Sequence, residues 1–162
     1  MIRAEAQPFK GRKLMMKNLD INSTRIFARL MEKMNGRSFI RLFNSPYMPL
    51  SVECMGGNFP TVWGMGHFYS LAHHFSQNGD LMYDPEMCFL VVDNRENPEE
   101  TGALFVVPCS FQNSSLGIYE ESISFMSSNV GLYLPKLHQA HLAFAKLWLK
   151  NIELQGFLGV GQ

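Results

Sequence analysis

The chain has 162 residues, of which 46% are hydrophobic and 17% charged, and its formal net charge at pH 7 is zero. This length and composition predict one globular domain with a sizeable core. Three widely separated cysteines exclude a disulfide framework and a zinc knuckle, and no stretch approaches the ~20 apolar residues of a membrane-spanning helix. We therefore expect a cytoplasmic protein with reduced thiols and no membrane partner.

The charges are distributed unevenly along the chain. Residues 1–43 carry ten Lys and Arg against three acidic residues, a net charge of +7, and the remainder carries four against eleven, a net charge of −7. Such a split can mark a basic surface for nucleic acid or an acidic surface for a basic partner. Alternatively, the two parts neutralise each other within the fold.

The first predicted element is a helix that begins at a cap on Asn22 or Ser23 and ends at Met34. Apolar residues recur at helical spacing through it, and an Asn-Gly stop signal follows. Basic side chains lie on its opposite side, either as a solvated face or as a contact surface for phosphates. These basic residues are Arg25, Arg29 and Lys33.

Short β-like segments follow, separated by turn-forming residues. Before and after the central hairpin, strands are predicted at residues 38–43, 50–55, 103–107 and 116–125, with turns at 44–46 and 56–60 and an exposed acidic loop at 93–102. A final helix is predicted from Pro135 to Ile152, because proline suits the first helical turn. Its buried stripe is predicted to consist of Leu137, Ala140, Phe144, Leu147 and Trp148.

The order of these elements predicts an α+β fold, with an antiparallel sheet of about five to six strands and an N-terminal and a C-terminal helix packed on it. We divide the chain into a basic leader that is a candidate for disorder, a single α+β domain and a short tail. The three parts are residues 1–16, 17–157 and 158–162.

A hairpin turning at Asn78-Gly79 is the strongest local signal, because both central positions of a two-residue turn need a positive φ. A regular register places His73 opposite Asp84 and Leu71 opposite Glu86. One face would then gather His73, Asp84 and Glu86, which could bind a divalent metal or form an exposed cross-strand charge pair. Asp84 precedes a proline, which disfavours regular pairing here.

Other catalytic patterns are weaker. His138 and His141 are three residues apart on the last helix, and we interpret His141 as a hydrogen-bonded core histidine. Glycine-rich phosphate loops and a nucleophile elbow are absent from the sequence. The sequence thus indicates no cofactor and no catalytic residue, and it favours a protein that is not an enzyme.

The run from His73 to Met87, HHFSQNGDLMYDPEM, resembles the signature of an uncharacterised bacterial domain family, His-Tyr-Tyr-x-Gln-Asn-Gly-Asp-Leu-Met-x-Asp-Pro-Glu-Met. Further similar segments are Ser51-Val52-Glu53, Phe111-Gln112, Leu116 to Tyr119, and Phe144 to Ile152, so that the similarity covers roughly residues 16–157. His74 and Phe75 replace the two tyrosines of the pattern. The resemblance implies small proteins of plasmids, conjugative elements and phages, and it implies no activity.

Three functional hypotheses follow. The first is a non-enzymatic interaction protein of a mobile element or phage, which binds a host protein or nucleoprotein complex in the bacterial cytoplasm as a counter-defence or regulatory factor. Its acidic docking residues would be Asp80, Asp84 and Glu86, beside His73. The second is a nucleic-acid-binding accessory protein using the basic N-terminal region from Lys10 to Arg41, which includes Arg25, Arg29 and Lys33. The third is a small metal-dependent hydrolase using His73, Asp84 and Glu86. The oligomeric state is left open.

Overall fold

The computed structural model describes residues 16–127 and 129–159. Helix α1 is Ile21–Met34 and helix α2 is Pro135–Leu154. The strands are β1 Phe39–Leu42, β2 Leu50–Thr61, β3 Gly64–Gln77, β4 Asp80–Asp93, β5 Leu104–Asn113, β6 Ile118–Glu121, β7 Ile123–Met126 and β8 Asn129–Tyr133. Single 3-10 turns, Thr101–Ala103 and Ser114–Leu116, precede and follow β5. The predicted basic leader lies almost wholly outside the described residues, and its lack of order stays a prediction.

Strands β1 to β6 form one antiparallel sheet in chain order, and β7 and β8 form a separate two-stranded sheet. The predicted α+β fold is confirmed, with six strands in the main sheet and the two helices packed on it. Within the described residues, neither helix is long and apolar enough to cross a membrane.

Helix α1 begins earlier than predicted, because Asp20 caps it. The Asp20 carboxylate accepts a hydrogen bond of 2.8 Å from the Ser23 amide, which satisfies one of the free N–H groups of the first turn. The helix packs its apolar side on the sheet, where the rings of Phe27 and Phe89 meet edge to face at 5.0 Å. The basic side is left facing away from this core.

Two strand predictions are wrong for local reasons. The glycines at 56 and 57 do not end β2; they adopt positive φ angles within it, and the register shifts on both sides of Gly56. Glycine tolerates such bulges without steric cost. The predicted strand at 116–125 divides at Ser122, so that β6 completes the large sheet and β7 begins the small one.

The buried side of helix α2 overlaps the predicted one only in part: Trp148 is buried as predicted, whereas Leu147 is exposed. Leu147 is 60% exposed, whereas His138 and His141 are 1% and 2% exposed. The buried side also includes Ala145, Trp148, Leu149 and Ile152. The prediction placed the largest apolar residues inside, but the two histidines are buried because each finds a hydrogen-bond partner within the fold.

The sheet separates two hydrophobic clusters. Both helices cover one face, on which the main cluster includes Leu50, Val52, Leu71, Met87 and Phe89. The small β7–β8 sheet covers part of the opposite face, where the second cluster is built on Phe59, Phe68, Leu90, Val107 and Ile123. Neither cluster covers the half of that face nearer the hairpin turn.

Candidate functional site

The central hairpin follows the predicted register only near its turn. Gln77 pairs with Asp80 and Phe75 with Met82, as expected, but a bulge between Ala72 and His74 shifts the pairing by one residue. Leu71 therefore pairs with Met87, and Glu86 pairs with Ala72. The bulge lies at the Asp84–Pro85 step, where proline has no N–H to donate to the ladder.

This shift separates the residues of the predicted metal or catalytic face. A one-residue slip moves every later side chain to the other face of the sheet. Leu71 and Met87 consequently lie under the helices, whereas Glu86 and Ala72 lie on the opposite face. The expected grouping of Leu71 with Glu86 on one face is wrong.

His73 lies in the core on the helical side. Its ring is 7% exposed and contacts Trp148 and Phe157, with ring centroids 5.8 and 5.6 Å away. Its Nδ1–H donates to the carbonyl oxygens of Met48 and Pro49 at 3.1 and 3.2 Å. Burial lowers the pKa of His73, although the two carbonyl groups and the charge of Asp84 oppose the shift.

Glu86 and Asp84 have separate partners. Glu86 Oε2 accepts a hydrogen bond of 2.7 Å from Ser70 Oγ, and Asp84 Oδ1 accepts one of 2.8 Å from Asn113 Nδ2. Asp80 is exposed beside the hairpin turn. In the part of the chain that the structure describes, no three His, Cys, Asp or Glu side chains are placed to hold a metal ion.

The face of the sheet opposite the helices carries two polar rows that cross all six strands. We call these two rows the polar face. One row is Arg41, Ser51, Ala72, Glu86, Gln112 and Tyr119, and the neighbouring row is Phe39, Glu53, Ser70, Cys88, Ser110 and Glu121. Among these residues, only Cys88 is packed against either hydrophobic cluster of the described chain.

Small side chains form the floor of the polar face, and carboxylates rise from it. Ser51, Ser70, Ala72 and Ser110 are all buried. The carboxylates of Glu53, Glu86 and Glu121 come from β2, β4 and β6. Alternate strands are about 10 Å apart, and Glu86 lies in one row whereas Glu53 and Glu121 lie in the neighbouring row. The three groups are therefore spaced too widely to share one metal ion but widely enough to meet several cationic groups.

The carboxylates give the polar face a negative potential. Burial raises the pKa of the Tyr83 hydroxyl, and the charges of Glu86 and Glu53 raise it further. Burial also raises the pKa of the Cys88 thiol, and all three carboxylates add to that shift, against a hydrogen bond from Ser110. A thiol held neutral in this way is a poor nucleophile, which favours a binding role over a catalytic one.

Aromatic side chains lie at both edges of the polar face. Phe39 on β1 is 49% exposed and Tyr119 on β6 is 62% exposed. At the β1 edge the Arg41 guanidinium lies 5.4 Å from the ring centroid of Phe43. Exposed aromatic faces beside carboxylates can bind the cationic side chains of lysine or arginine.

His74, the neighbour of the buried His73, lies beside the polar face. Its Nε2–H donates to Ser51 Oγ at 2.7 Å, and its Nδ1 accepts from Arg41 Nη2 at 3.4 Å. Burial and the Arg41 charge both lower the pKa of His74, and burial likewise lowers the pKa of His138. His73, His74 and His138 are therefore neutral in the folded protein near pH 7, and we call them the neutral histidines.

His141 is part of a series of hydrogen-bonded polar side chains in which Ser122 and His141 are buried and Glu120 is partly exposed. Its Nδ1 lies 2.8 Å from Ser122 Oγ, and its Nε2–H donates to Glu120 Oε1 at 3.2 Å. The order Ser–His–Glu is that of a hydrolytic triad, but the Ser122 side chain has no exposed surface to offer a substrate. These hydrogen bonds instead connect helix α2 to the junction between β6 and β7. His141 is thus confirmed as a core histidine.

The predicted basic stripe lies on the helical side of the protein. Arg25 and Arg29 border a groove between α1 and α2, and Lys33 is not among the residues that line it. The structure thus places Glu86 and the basic candidate residues on different sides of the sheet.

The polar face has a sequence signal that the hairpin pattern obscured. In five strands two residues of the polar face lie two positions apart, and all of them except Ala72 carry a polar or ionisable group: Ser51 and Glu53, Ser70 and Ala72, Glu86 and Cys88, Ser110 and Gln112, Tyr119 and Glu121. Period-two alternation of this kind is typical of a sheet with one face turned away from the core. Read over all strands together, it predicts the polar face.

The comparisons with known proteins bear on the whole domain. A family model described as "Domain of unknown function (DUF6908)" matches residues 24–158. No curated protein and no solved structure matches the chain. The match spans most of α1, every strand and α2, and it agrees with the resemblance to an uncharacterised family. This chain belongs to the DUF6908 family.

Proposed function

We propose that the protein is a non-enzymatic binding module, which docks a basic segment of a partner protein on its polar face. The observation that carries this proposal is the spacing of Glu53, Glu86 and Glu121 over three alternate strands of the polar face. Only one cation, Arg41, lies in the two rows that form this face. The face is therefore complementary to a surface rich in lysine and arginine.

The edges of the polar face support the same kind of partner. Exposed aromatic rings, Phe39 at one edge and Tyr119 at the other, offer π faces for cationic side chains that reach past the carboxylates. The buried floor supplies no activated nucleophile, since the pKa of Cys88 is raised. A binding module that catalyses no reaction would use the aromatic rings and the carboxylates and would need no reactive thiol.

The wider role follows from the resemblance to proteins of plasmids, conjugative elements and phages. A small binding protein of a mobile element acts by occupying a surface of the host's machinery, as a counter-defence or regulatory factor. We propose a host protein, alone or in a nucleoprotein complex, as the partner in the bacterial cytoplasm. The acidic region predicted from the sequence contributes Glu86 directly, with Asp80 and Asp84 on the same hairpin.

The other two hypotheses use different surfaces. A metal-dependent hydrolase needs His73, Asp84 and Glu86 together, and no observation favours it because His73 and Glu86 lie on opposite faces of the sheet. Nucleic-acid binding would use Arg25 and Arg29 on the helical side. It would leave the polar face free for the protein partner.

A photo-crosslinking experiment tests the proposal. A photoreactive amino acid in place of Gln112, between Glu86 and Tyr119 in its row, should trap a protein partner in a bacterial host. The same group in place of Asn151, exposed on helix α2, is the matched control.

Substitution of the carboxylates identifies the cause of the adduct. The triple change E53Q/E86Q/E121Q should abolish the adduct at Gln112, whereas E96Q/E99Q/E100Q in the exposed loop, which removes the same charge, should leave it intact. Equal adducts with both triple variants, or an adduct only from Asn151, would contradict docking on the polar face.

A further inference from the structure

A groove with basic walls separates the two helices on the other side of the molecule. It has a volume of about 470 Å3 and is lined by Arg25 and Arg29 from α1 and by Lys146 and Lys150 from α2. Residues four apart lie on the same side of a helix, so each helix presents a pair of cations. Two pairs of like charge therefore face one space.

Only part of this charge is neutralised within the fold. Lys146 Nζ lies 3.7 Å from Asp20 Oδ2, and Lys150 Nζ lies 3.1 Å from Glu153 Oε1. Arg25 donates to Asn22, which is neutral, and in the described part of the chain neither Arg25 nor Arg29 forms a salt bridge with a carboxylate. The groove keeps an excess of two positive charges, four cations against Asp20 and Glu153.

The spacing of the like charges along each helix does not help the fold. Like charges at positions i and i+4 of a helix repel each other and destabilise it slightly. Four cations at one groove are therefore explained better by a ligand than by stability, since residues that serve binding often cost stability.

We propose that this groove binds a phosphate-bearing ligand of about the size of a nucleotide. Two arginines offer planar forks that match phosphate oxygens bidentately, and the lysines add point charges from the opposite wall. The volume lies within the range of about 300–1,000 Å3 that is usual for small-ligand sites. The phosphates belong either to a small polyphosphate or to the end of a nucleic-acid chain, and the site acts independently of the polar face.

The binding test uses inorganic tripolyphosphate as the probe, in calorimetric titrations of the full chain at low salt. We expect wild-type protein to bind it with an affinity that falls as salt is added, because the attraction between exposed charges is screened. The double variant R25Q/R29Q should bind more weakly by on the order of tenfold or more, since it loses two charge-assisted contacts.

The matched control removes the same charge elsewhere. K33Q/K136Q also removes two positive charges from the helices but none from the groove lining, and it should bind as wild type does. Conversely, E153Q removes a negative charge from the groove and should bind more tightly. Unfolding by urea should show that R25Q/R29Q is as stable as wild type, so that lost binding is not lost structure.

The source of the phosphate is decided with short single-stranded DNA carrying a terminal phosphate or a terminal hydroxyl. Tighter binding of the phosphorylated DNA than of tripolyphosphate assigns the site to a nucleic-acid end, and the reverse order assigns it to a small ligand. The proposal is overturned if wild type binds none of these probes at low salt, or if both double variants lose equal affinity. Neither outcome bears on crosslinking at Gln112.

Discussion

Replacing His73 with alanine tests whether this histidine belongs to the core or to an accessible site. The imidazole fills a buried space between Trp148 and Phe157 and is 7% exposed. Truncation of a large buried side chain to alanine costs about 3–5 kcal/mol, and we take the lower part of this range because the ring is smaller than that of phenylalanine. Lost hydrogen bonds to Met48 and Pro49 add about 1 kcal/mol.

The expected loss in the free energy of unfolding is therefore about 4 kcal/mol for H73A, with a fall in Tm on the order of 10 °C. Urea unfolding followed by tryptophan fluorescence measures it directly, since Trp148 contacts the ring. The variant H73F keeps an aromatic ring but loses the donor, so we expect it to lose only about 1–2 kcal/mol.

A matched change at Asp84 provides the control. D84N should cost below about 1 kcal/mol, because the new amide oxygen can still accept from Asn113. If H73A also cost less than about 1 kcal/mol, the reasoning would be refuted. His73 would then be the exposed member of a cross-strand pair, for which a cost of that size is usual.

Three further predictions concern stability and reactivity. Burial lowers the folded-state pKa of the neutral histidines below the unfolded value of about 6.5. Their contribution to the free energy of unfolding is therefore complete above that pH and is lost as the pH falls. The urea midpoint of unfolding should drop between about pH 7.5 and 5.5, and a midpoint that does not change with pH would contradict this prediction. G66A should cost about 1–3 kcal/mol, since its Cβ would lie 2.7 Å from a methyl group of Leu90, whereas G102A, with open space, should be nearly neutral in the same assay. S122A should cost about 1–3 kcal/mol by leaving the buried His141 Nδ1 without its hydrogen-bond partner. A fluorophosphonate probe should not label wild-type Ser122, and labelling would show that the hydroxyl is accessible.

Local signals in the sequence were sufficient for most of the fold. The Asn78-Gly79 turn is where it was predicted, with φ angles of 53° and 85°, because no distant contact is needed to prefer that geometry. The two helices and most strands likewise follow from periodicity, which reflects burial on one side of each element. Strand β8 was missed, since five residues that include a glycine carry little β signal.

The assignment of faces depended on the tertiary structure. The extra residue at the Asp84–Pro85 bulge moves every later side chain of β4 to the other face of the sheet. Local sequence patterns do not show whether a strand contains such an extra residue. The same limitation applies to helix α2, where Ser122 and the backbone of Lys17, both distant in sequence, make it favourable to bury histidines. A hydrogen-bond partner that is distant in sequence produces no periodic pattern around the residue that it contacts.

The sequence by itself determined the α+β class, the hairpin turn and the separation of basic from acidic residues along the chain. Each of these depends on neighbours within a few positions or on composition alone. Only the tertiary structure decided that Glu53, Glu86 and Glu121 lie on one face of the sheet and that Arg25 and Arg29 share a groove with Lys146 and Lys150. Both surfaces join residues from separate elements, so strand register and helix packing had to be known before either could be recognised.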